Sequence, residues 1–113
     1  MRHAFVVAVA LGLSSPLFGQ IGGEEILRGD ANNDRAVTAA DATYILNYLF
    51  SGGSPPACFD AADADDNGQV QMADAIRINN FLFYGGPPPA APFPYCGVDL
   101  TADYLYCPDT TCD

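Results

Sequence analysis

At 113 residues the chain is long enough for one small domain, and a composition that is 50% hydrophobic can supply its core. Fourteen acidic residues stand against four basic ones, all arginine, for a net charge of −10. So acidic a balance repels phosphate backbones and anionic lipid surfaces, which excludes a nucleic-acid-binding or membrane-surface role.

The chain opens with a short basic start, Met1-Arg2-His3, followed by a ten-residue apolar run from Ala4 to Leu13. Ser14 to Gln20 is small and turn-prone. This order predicts a secretory signal peptide over residues 1–20, cut near Gly19 or Gln20. Ten apolar residues cannot cross ~30 Å of hydrocarbon, so no membrane span is expected after cleavage. The remaining 93 residues hold three arginines and all fourteen acids, a charge of −11, with no histidine or lysine. Ile21 to Arg28 reads as a short lead-in, with Glu24 and Glu25 solvated and Ile26 and Leu27 packed in extended form. It is too short for a full helix.

Asp30-Ala-Asn32-Asn-Asp34 begins the first of two acidic stretches, which closes at Asp41. Oxygen-bearing side chains at positions 1, 3, 5 and 12 have the spacing of a twelve-residue calcium loop. Asp30, Asn32 and Asp34 can converge on one ion. Ala36 at position 7 would add its backbone carbonyl, Thr38 at position 9 would act directly or through water, and Asp41 would close the cage. After Asp41, the spacing of Ala42, Ile45 and Leu49 makes one helical face, widened by Leu46 and Phe50. Gly52-Gly53 stop that helix and Pro55-Pro56 prevent its restart.

Cys58 follows in the connection, and then the pattern returns. Asp63, Asp65, Asn67, Gln69, Gln71 and Asp74 occupy loop positions 1, 3, 5, 7, 9 and 12. Ala75, Ile78 and Leu82 form the helical face, with Phe81 and Phe83 alongside. Gly85-Gly86 and prolines end it. A shift of 33 residues overlays Asp30 on Asp63, Val37 on Val70, Ile45 on Ile78 and Pro55 on Pro88. The chain is therefore one unit built twice, over 30–53 and 63–86. Helices of about ten residues do not persist alone in water, so the two must pack together, antiparallel if the repeats are related by a near twofold. Val37 and Val70 are expected to pair in a short β-bridge.

A duplicated calcium loop followed by a single helix resembles a type I dockerin, in a non-cellulosomal variant. The phrases Arg28-Gly-Asp-Ala-Asn32 and Ala39-Ala-Asp-Ala42 are similar to that family's repeats, over residues 28 to about 89. The resemblance implies two bound Ca2+ ions, which would bring the charge from −11 to −7, and docking onto cohesin-like or other extracellular proteins. The docking face would then lie on the helices and adjacent loop ends: Ala39, Ala40, Asn47 and Tyr48 in one copy, Met72, Ala73, Asn80 and Phe81 in the other. Three departures from the family stand out. Arg35 occupies position 6, where glycine is usual, while the second loop keeps Gly68. Ala39-Ala40 and Met72-Ala73 replace the frequent Ser-Thr at positions 10 and 11, and Asn47-Tyr48 and Asn80-Phe81 replace a basic pair.

Pro87 to Pro94 is extended chain that returns the tail across the helices. The tail from Tyr95 to Asp113 carries Cys96, Cys107 and Cys112. Four cysteines in a small exported domain read as two disulfides. Of the three pairings, Cys58–Cys96 with Cys107–Cys112 is the one expected. A zinc site is disfavoured, since there is no Cys-x-x-Cys knuckle and no histidine after cleavage. The same poverty of histidine and lysine argues against an enzyme.

The predicted fold is mainly α: two antiparallel loop–helix, or half EF-hand, repeats with a disulfide-linked irregular C-terminal tail. The expected domains are the leader at 1–20, the calcium-binding domain at 21–90 and a cysteine-containing extension at 91–113. The expected function is calcium-dependent attachment, secreted or at the cell surface. The alternative is a calcium-stabilised structural module, or the C-terminal tail of a larger exported protein, without a cohesin partner.

Overall fold

The computed structural model describes residues 24–101, 103–105, 107 and 112. The expected signal peptide lies outside the described residues. Five elements follow in order: β1 (Glu25–Ile26), α1 (Ala39–Phe50), α2 (Phe59–Ala62), α3 (Met72–Tyr84) and β2 (Gly97–Val98).

The two long helices share an aspartate at the third position that reaches back to the N-cap N–H, and α1 adds a side-chain cap. Thr38 caps α1, accepting the Ala40 N–H at 3.2 Å, while Asp41 reaches back to accept the Thr38 N–H at 2.7 Å. In α3 the Gln71 N–H donates to Asp74 Oδ2, again at 2.7 Å. They also end alike. Gly52 and Gly85 take left-handed backbone at φ 72° and 71°, and the next N–H, of Gly53 or Gly86, returns to the carbonyl of Asn47 or Asn80 at 2.9 Å. Each proline exit is then tied to its helix. Tyr44 Oη donates to Pro55 O at 3.0 Å, and Arg77 Nε donates to Pro88 O at 2.8 Å. Different side chains 33 positions apart thus make the same tether.

Helices α1 and α3 pack against each other. Between them lie Ala42 and Ile45 from one repeat and Ala75 and Ile78 from the other, with Ala31 and Ala64 from the loops. Burial of each isoleucine contributes about 1.5–3 kcal/mol. Phe50 and Phe83, expected on the apolar faces, are instead 68% and 63% exposed. Each lies five residues beyond the buried isoleucine of its helix, about 140° round the axis. Val37 and Val70 pack on the core, but among the described residues no backbone hydrogen bond joins them.

Other contacts are absent from the repeat pattern. The one-turn helix α2 precedes the second loop, with Cys58 Sγ at its start accepting the Ala61 N–H at 3.3 Å. The lead-in is extended, as expected, and pairs with the tail: β1 and β2 run antiparallel, with Glu25 opposite Val98 and Ile26 opposite Gly97. The expected disulfides are corrected to Cys58–Cys107 and Cys96–Cys112. Cys107 joins Ile26, Cys58 and Ala61 in a second small apolar cluster, so spatial packing rather than closeness in sequence selects the partner.

Arg28 is fully buried and ties these parts together. Its Nη1 donates to the carbonyls of Asp60 and Asp63 at 2.8 and 3.1 Å, and its Nε to Ala91 O at 3.0 Å. Ion pairs reach Asp60 Oδ1 at 3.3 Å, Asp99 Oδ1 at 3.1 Å and Asp66 Oδ1 at 3.6 Å. Removing one partner from a buried charge network leaves the others uncompensated, at a cost of about 3–5 kcal/mol. Arg28→Ala is therefore expected to lower the unfolding free energy by about that amount in urea titration. A loss below about 1 kcal/mol would refute the central role assigned to this side chain.

Candidate metal centres

Each acidic loop is wound around its first and last carboxylates. In the first, Asp30 accepts the N–H groups of Asp34 at 3.0 Å and Arg35 at 2.9 Å. Asp41 accepts those of Asn32 at 3.1 Å and Thr38 at 2.7 Å. The second loop repeats the frame. Asp63 takes Asn67 at 3.2 Å and Gly68 at 2.8 Å, and Asp74 takes Asp65 at 3.1 Å and Gln71 at 2.7 Å. Positions 5 and 6 therefore bind the carboxylate of position 1, while positions 3 and 9 bind that of position 12.

This winding collects the acids. One carboxylate oxygen from each of Asp30, Asp34 and Asp41 lies within 4.8 Å of the others, and the same holds for Asp63, Asp65 and Asp74. That span fits oxygens around one calcium ion, whose bonds are about 2.3–2.6 Å long. Asn32 at position 3 strengthens the fit, because its Oδ1 is buried without a hydrogen-bond partner among the described residues. Asn67 at position 5 has other contacts: its Oδ1 accepts from Gln69 N at 3.1 Å and its Nδ2 donates to Gln71 Oε1 at 3.0 Å. Thr38 and Gln71 are the N-cap residues of α1 and α3, and both are exposed. Ala36 and Gln69 are exposed directly after position 6.

Left-handed backbone makes the turn possible. Position 4 is Asn33 at φ 63° in one loop and Asp66 at φ 56° in the other; position 6 is Arg35 at φ 74° and Gly68 at φ 90°. Asparagine and aspartate tolerate this region, and glycine enters it freely. Arginine is strained there by about 1 kcal/mol.

Burial disfavours the charged carboxylates. It pushes Asp41 and Asp63 up to about 6 and Asp74 up to about 7, against the opposing effect of the N–H groups they accept. Asp30 is also raised, chiefly by burial. A divalent cation would relieve both the desolvation and the mutual repulsion.

Sequence reasoning passed over another group of residues. Asp60, Asp63, Asp66 and Asp103 also bring one carboxylate oxygen each within 4.8 Å of the rest. Asp60 is pushed up to about 7 by burial and by the neighbouring Asp99 carboxylate. The three-residue spacing of Asp60, Asp63 and Asp66 is visible in the sequence, but nothing local reveals that Asp99 and Asp103 of the tail return to meet them.

The raised acids fix the sign of the pH response. Without calcium, their protonation stabilises the fold below the unfolded value near 3.8, and that contribution is lost as pH rises through about 6 to 7. Calcium competes with the same protons, so its affinity is expected to rise across that window. Isothermal titration at pH 5.5 and 7.5 checks this, and equal affinities would refute it. At a Kd of ~10 µM and millimolar calcium, each site contributes about 2.7 kcal/mol, so chelation at pH 7.5 should lower Tm by on the order of 20 °C.

The two loops should also differ in strength. The second is expected to bind more tightly, because Gly68 carries the left-handed turn that strains Arg35. Arg35→Gly should tighten the weaker site by about fivefold. An unchanged pair of affinities would sink the strain argument.

Residues 28–83 match the family described as dockerin type I domain. No curated protein and no solved structure matches the chain. Dockerin domains bind calcium and attach to cohesins, and the two loops described above fall within the matched segment. Through residues 28–83, the chain belongs to the type I dockerin family.

Proposed function

We propose that the chain is an exported, non-catalytic attachment module that holds two calcium ions, one per loop, and docks onto a cohesin-like or other extracellular protein. The twice-repeated frame of N–H groups on the carboxylates of positions 1 and 12 carries this reading. The ligands are Asp30, Asn32, Asp34 and Asp41 in one loop and Asp63, Asp65, Asn67 and Asp74 in the other. Ala36, Thr38, Gln69 and Gln71 complete the cages through carbonyls or water.

In this reading residues 1–20 are a cleaved leader, 21–90 the calcium-binding domain with antiparallel repeats, and 91–113 an extension stapled to it. Two disulfides favour an oxidising, extracellular setting. Among the described residues, no helix is long and apolar enough to cross a membrane.

The proposed docking face is exposed at Ala39, Ala40, Asn47, Met72, Ala73 and Asn80. Tyr48 and Phe81 are half-buried. Tyr48 stands edge-on to Phe59 at 5.8 Å, and Phe81 edge-on to Phe93 at 5.4 Å. These contacts favour the second reading, a calcium-stabilised module without a cohesin partner, because they commit to intramolecular packing the positions where the family often carries a basic pair.

Met72 separates the two readings, being large, apolar and 51% exposed. Met72→Ala should leave calcium affinity and Tm unchanged while weakening a cohesin partner about tenfold or more, with little dependence on salt. Surface plasmon resonance against a cohesin panel, at two ionic strengths, measures this. If no cohesin binds the calcium-loaded wild type, the structural reading stands in place of the docking one.

A further inference from the structure

We propose a third cation site, outside the two loops, in which Asp60, Asp66, Asp99 and Asp103 hold a divalent hard cation of the calcium type between the second repeat and the C-terminal tail. Asp60 lies in α2 and Asp66 at position 4 of the second loop, while Asp99 and Asp103 come from the tail. Oxygens of Asp60, Asp63, Asp66 and Asp103 already lie within 4.8 Å of one another, the spread that calcium ligands require. Asp63 belongs both to this group and to the second loop's triad, so it is the point at which the new site touches the loop reading.

Closeness of acids is not the whole argument. Asp99 is only 3% exposed, and its carboxylate lies against those of Asp60 and Asp103. Its Oδ1 is well supplied, by Thr101 N at 3.0 Å, Thr101 Oγ1 at 2.6 Å and the Arg28 ion pair at 3.1 Å. Its Oδ2 is buried with no hydrogen-bond partner among the described residues, and so is Asp103 Oδ2. Two buried acceptors that face further carboxylates carry a desolvation cost that a bound cation or a shared proton can offset.

The one hydroxyl beside these oxygens is over-subscribed. Thr101 Oγ1 lies 2.6 to 3.0 Å from three carboxylate oxygens, one on Asp99 and two on Asp66, yet a hydroxyl has one hydrogen to give. Five carboxylates gather here, Asp63 included, and the one positive charge of Arg28 pairs with three of them, Asp60, Asp66 and Asp99. If the second loop's ion neutralises Asp63, four still remain against one. A divalent ion answers both the charge and the unpartnered oxygens, and it would fasten the tail to the second loop beside the Cys58–Cys107 disulfide.

Native mass spectrometry of the full, disulfide-intact chain titrated with calcium tests the site by counting ions. The wild type should take up three, and Asp103→Asn, which alters a half-buried side chain at the edge of the group, should take up two. Asp66→Asn keeps the shape at position 4 and serves as a second variant should the first fold poorly; it too should take up two. Two ions on the wild type and on both variants would overturn the third site, leave the loops intact and point to a shared proton instead. Fewer than two on every protein would overturn both the third site and the loop reading.

Discussion

The carboxylates of Asp41 and Asp74 bind each loop to the helix that follows it. Each accepts two backbone N–H groups, one from early in the loop and one from the residue that caps the helix. One group thus starts a helix and faces the other acids of its loop at the same time. Its geometry as a cap places its second role, because a residue three positions into a helix has its side chain directed back over the first turn. The helix cannot form properly unless the loop is wound, and the loop cannot wind without the helix as its anchor. Coupling of this kind explains how helices of 12 and 13 residues, too short to be stable alone, can belong to one cooperative unit.

What could be read from the sequence was whatever is encoded locally. Loop positions, helix starts and glycine stops depend on neighbours within about a dozen residues, and the 33-residue repeat shows each of them twice. The positions of Asp30, Asp41, Ile45, Gly52 and their counterparts follow the sequence pattern. Residues whose meaning comes from distant partners were illegible. Arg28 looks like a surface charge next to a loop, yet it is buried because Asp60, Asp66, Ala91 and Asp99 converge on it from far along the chain. The pairing of Cys58 with Cys107 has the same origin, as does the strand pair that joins Ile26 to Gly97. Phe50 shows a different failure: hydrophobicity alone placed it inward, but its angular position turns it to solvent.

The core draws on corresponding residues of both repeats, and its surroundings do not. Alanines, isoleucines, loop carboxylates and even the proline tethers occur in matched pairs. Arg28, α2 and the tail have no counterparts among the described residues, and all three gather beside the second loop. The second repeat is therefore clamped from outside, whereas the first relies on its own winding. The two long helices therefore sit in unequal settings, and their surfaces are not interchangeable.

The order of the cysteines along the chain gives the tail an unusual durability. Cys58–Cys107 and Cys96–Cys112 overlap in sequence, so every peptide bond from Cys58 to Cys112 lies inside at least one covalent ring. A single protease cut anywhere in that stretch would open a ring without dividing the molecule. Between Cys96 and Cys107 a cut would leave the two pieces joined by both bridges. Sequential pairing would have left that same stretch as an unguarded thread, where one cut sheds the end of the chain. Interleaving turns a loose appendage into a part that stays attached after a single cut.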